Sequence, residues 1–170
     1  STPIKSSAAS DVYKRQEGIL EEYGFHRYEI SNYAREGKEC RHNLGYWSRV
    51  EYLGIGLGAS SFISNTRYHL CTDMISYIER IGSGEDLREE IEVLTKEDAM
   101  EEFMFLGLRM TQGISTAEFE EQFGKEIHAV YGGVLKKYKA VHLLREHSGR
   151  LALTRDGISV SNVILADFLL

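Results

Sequence analysis

Residues 17–34 read EGILEEYGFHRYEISNYA, and two periodicities in that stretch decide the fold class. Ile19, Leu20 and Tyr23 fall on one side of a helix, and Gly24 stands where such a helix stops. From His26 the pattern becomes an alternation, with Tyr28 and Ile30 on one side and Asn32 turned the same way, as in a strand. A helix that ends on glycine and passes at once into a strand is the αβ connection of a barrel or a wound sheet. The front of the chain is therefore expected to be α/β.

Upstream of this stretch, STPIKSSAASDVYKRQ (1–16) has no initiator Met and no apolar periodicity joined to that of residues 17–34. It reads as a non-native tail, and the chain as a piece whose N-terminal part is missing. The whole is 170 residues, enough for one domain or for a small domain plus part of another. Hydrophobic residues at 42% and charged residues at 27% are those of a soluble globular protein. No apolar run reaches the ~18 residues of a membrane span, and no signal peptide opens the chain. Cys40 and Cys71 are too few and too far apart for a disulfide framework or a CxxC metal knuckle, so a reducing cytoplasm is the expected compartment. The net charge of −6 argues against a general nucleic-acid binder.

Downstream, EYLGIGLGASSFI (51–63) predicts a second strand that runs into a loop of small residues. Gly54, Gly56 and Gly58 imitate a nucleotide fingerprint, but no helix opens behind them, and close backbone approach is the better reading. Residues 82–94, opening GSGEDLREE, read as a polar linker. Nine acidic and two basic residues between 85 and 102 mark a solvated face. TKEDAMEEFMFLGLRM (95–110) predicts a helix capped by Thr95, with Met100, Phe103, Met104 and Leu108 inward. ISTAEFEEQFG (114–124) predicts another, opened by a Ser115–Glu118 capping box and closed by Gly124. A third helix is expected over 126–140, with Ile127, Val130, Val134, Leu135 and Tyr138 inward and Gly132 and Gly133 in tight packing. LLREHSGRLALT (143–154) reads as a hairpin turning at Ser148-Gly149, and RDGISVSNVILADFLL (155–170) as a closing helix carrying Ile158, Ile164, Leu165 and Phe168.

Helices followed by a hairpin have the layout of a winged helix, and residues 125–155, with seven basic and two acidic residues, give DNA binding some support. The helix that would enter the groove carries Ile127, Val130 and Val134 in its first half and no Asn, Gln or Arg pair to read base edges. A packing or protein-docking role ranks above it.

The densest chemistry lies in ECRHNLGYW (39–47). His42 is a common iron ligand, Asn43 can hold a neighbouring backbone group or ring nitrogen, and Tyr46 and Trp47 offer flat apolar surface suited to a porphyrin. Arg41 can pair with a propionate. The plainer alternative has Asn43 capping a turn, Tyr46 and Trp47 plugging a core, and His42 as a satisfied polar neighbour. On chemistry alone the plainer alternative is favoured, since isolated histidines are seldom ligands.

Seven stretches occur in one order: YEISNYA, RHNLGYW, YLGIGLGASSF, FMFLGLRMTQGIS, FEEQFG, LALTRDG and SNVILADFL. Together they resemble the C-terminal half of the oxygen-independent coproporphyrinogen III oxidase-like radical SAM proteins. The HNxxYW element (His42, Asn43, Tyr46, Trp47) is similar to that of the family's heme chaperone branch, and the likeness runs from Glu17 to Leu170. It implies an α/β chain, α+β for the piece present. Residues 17–81 would end a partial β/α barrel that holds a 4Fe-4S cluster and S-adenosylmethionine. Residues 82–94 would be the linker, and 95–170 a helical C-terminal domain with a winged-helix-like hairpin. It further implies heme bound through His42, a heme-recipient protein as partner, and Gly58, Ala59 and Ser60 near S-adenosylmethionine. The alternative within the family is the oxidase itself, a decarboxylase of two propionates, and retention of HNxxYW favours the chaperone. Three departures stand out. The CxxxCxxC cluster motif is absent, so this chain alone is expected to be inactive in radical chemistry. Ser60 replaces a histidine common in relatives, and Val141-His142 replaces a frequent Gly-Leu turn.

Overall fold

A computed structural model describes residues 15–170, and the tail expected over 1–16 lies outside them except at its last two positions. Helix α1 takes in residues 15–22 and stops before Gly24, as its spacing predicts. The alternating stretch behind it is not one strand. β1 (His26–Arg27) and β2 (Tyr33–Ala34) pair antiparallel with each other, Arg27 opposite Tyr33. Between them the chain turns into the body of the protein, where the Ile30 N–H donates to the Arg109 carbonyl at 3.0 Å and Glu29 bridges to Met110. Arg27 donates to the Ile30 carbonyl at 2.7 Å and lies over the Tyr33 ring, which closes the loop. A buried glutamate thus takes the place that the alternation reserves for solvent.

Helix α2 (Arg41–Trp47) leads into an antiparallel sheet of order β3 (Ser60–Ile63), β4 (Thr66–Leu70) and β5 (Arg88–Val93). Helix α3 (Met74–Ser83) connects the last two strands. In 51–63 the expected order is reversed, with the glycine loop first and the strand after it. Tyr52 and Phe62 exchange both backbone hydrogen bonds at 2.9 Å, so the loop folds back over β3. Gly54 is the closest approach, because a Cβ there would meet the Ser60 carbonyl oxygen at 2.2 Å. The acidic linker expected over 82–94 is also corrected, since its first two residues end α3 and 88–93 are β5, paired with β4. Its acidic residues are partly spoken for: Glu89 accepts from Arg80 at 2.7 Å.

The rest of the chain packs as α4 (Lys96–Gly107), β6 (Ile114–Ser115), α5 (Thr116–Phe123), α6 (Ile127–Ala140), β7 (Leu144–His147) and β8 (Arg150–Leu153). The short helices α7 (Arg155–Ser159) and α8 (Ser161–Ala166) close it. The three strands form one small antiparallel sheet in the order β6-β8-β7. The local signals hold. Thr95 and Asp98 form a reciprocal capping box, Ser115 accepts the Glu118 N–H at 3.2 Å without the return bond of the expected box, and the hairpin turns at Ser148-Gly149. Phe119, Phe123, Phe103, Tyr131 and Phe168 build an aromatic cluster in the core, with Met100, Met104, Leu135, Leu151 and Ile164 around it.

Two expectations fail here. The closing segment breaks at Val160, where φ of −123° leaves helical geometry, and Ile164 and Leu165 turn inward from α8, with Phe168 buried just beyond it. On α6 the inward set is Ile127, Tyr131, Leu135 and Tyr138, while Val130 and Val134 are only partly buried. Gly132 and Gly133 consequently face open space rather than a tight contact. Gly132→Ala and Gly133→Ala should each stabilise the chain by about 1 kcal/mol, read as a higher melting temperature.

Candidate functional site

Helix α2 is two turns long and its N-cap residue, Cys40, makes no side-chain capping bond. So short a helix has little stability of its own and takes its orientation from what it packs against. Residues one turn apart share a face, so the motif sorts into two pairs. His42 and Tyr46 are exposed, with ring centroids 4.5 Å apart in an edge-to-face contact. Tyr46 meets Tyr52 in the same way at 4.7 Å, and Tyr52 reaches back toward Phe62. Burial, with Tyr46 alongside, raises the Tyr52 phenol above its ordinary value, so it stays protonated in the neutral range.

Asn43 and Trp47 point the other way. Asn43 Nδ2 donates to the Tyr28 hydroxyl at 3.3 Å, and the Arg109 guanidinium lies 4.4 Å from the centre of the Trp47 ring. Arg109 Nη2 in turn stands 3.7 Å from Glu29 Oε2, on a carboxylate that is 0% exposed. Just after the helix, Arg49 donates to Glu102 at 3.0 Å and to Asn65 at 2.8 Å.

Of the residues expected at the site, His42 and Tyr46 are therefore brought together on an accessible face. Trp47 is not beside Tyr46 as a second flat surface, because adjacent helical residues diverge, and it anchors the helix instead. Arg41 is exposed at the first position of α2. Gly58, Ala59 and Ser60 form the entry to β3, with the Gly58 N–H on the Cys71 carbonyl and the Leu70 N–H on that of Ala59. Glu29, Arg49, Glu102 and Arg109 went unread in the sequence. The available signal was a charged residue set in an apolar run, as in FLGLRM, which becomes meaningful only once its partner is known.

A 4Fe-4S cluster needs closely spaced thiolates, and the chain's two cysteines do not fit one. Cys40 is exposed, Cys71 is buried with its thiol 3.5 Å from the Asp73 carbonyl oxygen, and no three His, Cys, Asp or Glu side chains come together as metal ligands among the described residues.

Residues 94–160 match the HemN C-terminal domain. The chain is 37% identical over 161 residues to the heme chaperone HemW of Bacillus subtilis, covering 94% of this chain and 42% of that protein. It is 34% identical to the heme chaperone HemW of Lactococcus lactis, covering 95% of this chain and 42% of the relative. It thus spans about two fifths of the length of these relatives. Among solved structures it resembles the coproporphyrinogen III oxidase HemN of Escherichia coli, described as a radical SAM enzyme. That likeness has a TM-score of 0.72 and 15% identity, over 94% of this chain and 40% of the other. At that identity the likeness speaks for the mixed α/β fold alone. The HemN C-terminal domain and the HemW similarity together make the chain a relative of the coproporphyrinogen III oxidase-like radical SAM proteins, HemW among them.

Proposed function

We propose that this chain carries the heme-binding element of a heme chaperone, with His42 as an axial ligand to the iron and the heme passed on to a recipient protein in the cytoplasm. The observation behind this reading is the division of α2. Asn43 and Trp47 hold the helix down, and His42 and Tyr46 are left exposed and in contact. A core histidine would show the reverse. An exposed imidazole can bind iron through a ring nitrogen, and the aromatic ring beside it can lie against the porphyrin face. Arg41, also exposed at the start of α2, is the candidate partner for a propionate. S-adenosylmethionine, on this reading, belongs to the Gly58–Ser60 end.

Handover between proteins suits a ligand held on an open face. No helix among the described residues is long and apolar enough to cross a membrane. The basic stretch 125–155 commits several of its charges within the chain: Lys137 to Asp167, Lys139 to Glu146 at 2.6 Å, and Arg155 to Glu17 at 2.8 Å. This leaves nucleic acid a weak competitor for that surface.

Titrating heme into the chain tests the proposal. One equivalent should produce a Soret band, and Cys40→Ser should leave its position and the affinity unchanged. Loss of the band in Cys40→Ser would transfer the iron to the neighbouring thiolate and overturn the assignment.

A further inference from the structure

We infer that Arg109 is a positioning residue for the His42 helix, acting through its stack on Trp47 and its ion pair with buried Glu29; the part that concerns heme rests on the reading just given. Three of the stretches that carry the family likeness converge at this guanidinium: YEISNYA through Glu29, RHNLGYW through Trp47, and FMFLGLRMTQGIS through Arg109 itself. Both inward contacts of α2 rest on one short segment of chain. Trp47 lies under Arg109, while Asn43 bonds Tyr28, whose carbonyl accepts the Thr111 N–H at 3.1 Å. Ser48, the residue closing the helix, reaches Met110 Sδ at 3.7 Å. A helix of two turns without a side-chain cap has little else to fix its rotation.

The contact is also chemically specific. Glu29 Oε1 accepts the Ser31 N–H at 2.8 Å, but Glu29 Oε2, Arg109 Nε and Trp47 Nε1 are buried without hydrogen-bond partners. An apolar side chain would hold an indole in place without burying a carboxylate. A guanidinium held 3.7 Å from the buried Glu29 carboxylate and 4.4 Å from the centre of the Trp47 ring is fixed at two points, and a buried pair of this kind contributes more to geometric definition than to net stability. Fixing Trp47 fixes the opposite face of the same two turns, the one that carries His42 and Tyr46.

Trp47 is the single tryptophan of the chain, so its fluorescence reports the anchor directly. The experiment compares Arg109→Ala and Arg109→Lys with the parent chain, folding being followed by circular dichroism. Three readouts are needed: Trp47 quenching by acrylamide, the proton resonances of the His42 ring, which lie in the ring current of Tyr46, and heme titration. Arg109→Ala should expose Trp47, move the His42 resonances toward free-imidazole values and weaken heme binding by about tenfold at an unchanged Soret position. Arg109→Lys keeps the charge but loses the planar stack, and should fall between. Should Arg109→Ala fail to fold, Arg109→Lys decides alone on the same three readouts. Parental His42 resonances in a folded variant would overturn the inference, as would an exposed Trp47 with undiminished heme affinity. If His42→Ala left the heme spectrum intact, the heme reading would fail, and the His42 resonances would still decide whether Arg109 positions the helix.

Discussion

Gly113→Ala should destabilise the chain by about 3 kcal/mol or more, a larger loss than most single substitutions cause. Gly113 sits between α4 and β6 with φ of 67°, in the left-handed region that an L-residue enters at a cost. A Cβ added there would lie 1.9 Å from the Leu151 carbonyl oxygen and 2.7 Å from Ala152 Cα. Both obstacles are backbone of β8, the central strand of the small sheet, so neither can swing aside as a flexible side chain would. The turn is held on its other edges as well: its N–H donates to Met110 and its carbonyl accepts from Arg150 Nη2, both at 2.9 Å. Relief would require the hairpin to lift from α4 and take Leu151 out of the core. Urea unfolding of Gly113→Ala beside Gly132→Ala checks this. Equal behaviour of the two would mean that the sheet yields where the geometry says it is fixed.

Glu102→Ala should be nearly as damaging, at about 3–5 kcal/mol, because it strands a buried charge. Glu102, on α4, accepts from Arg49 Nε at 3.0 Å with one oxygen and forms an ion pair with Arg67 Nη2 at 2.9 Å through the other. The Arg49 side chain is only 5% exposed and both guanidiniums lie 5.3 Å from the centre of the Phe62 ring. Arg49 moreover holds φ of 54°, a left-handed conformation that is costly for a non-glycine residue and that its bonds to Glu102 and Asn65 help to hold. Glu102→Gln should lose less, and pairing Glu102→Leu with Arg49→Met should recover much of the loss, because the buried Arg49 charge goes with its partner while half-exposed Arg67 keeps its access to water. A drop below about 1 kcal/mol for Glu102→Ala would show that the pair behaves like a solvent-screened surface contact.

Features that depend on a few neighbouring residues were legible in the sequence. The stop before Gly24, the cap at Thr95 and the turn at Ser148-Gly149 are local chemistry, and each is where its residues predict. The mixed α/β class came from the helix that stops at Gly24 and the alternation behind it, which is two short strands rather than one. The segments that misled are those governed by distant partners. Glu29 breaks the alternation of 26–34 because Arg109 and Met110 receive it. The acidic stretch after Gly84 resembles a linker because its role as a strand depends on β4, which composition does not reveal. Gly132 and Gly133 suggested tight packing, yet the inward face of α6 runs through Tyr131 and leaves them outside.

The candidate site divides along the same line. That His42, Asn43, Tyr46 and Trp47 belong to one element is visible in their spacing. Which pair faces inward is set by Tyr28 and Arg109, and no reading of RHNLGYW supplies them. Trp47, expected to offer its ring to a porphyrin, offers it to a guanidinium.

Heme titration of His42→Ala, with folding verified by circular dichroism, tests the central claim most directly. His42 lies on the exposed face of α2, where its removal breaks an edge contact with Tyr46 and no buried hydrogen bond, so the variant should remain folded. The Soret band should be lost or displaced, with weakened affinity, since the imidazole is the proposed iron ligand. A normal band at normal affinity in the folded His42→Ala protein would contradict it, and α2 would then be a packed turn rather than a heme site.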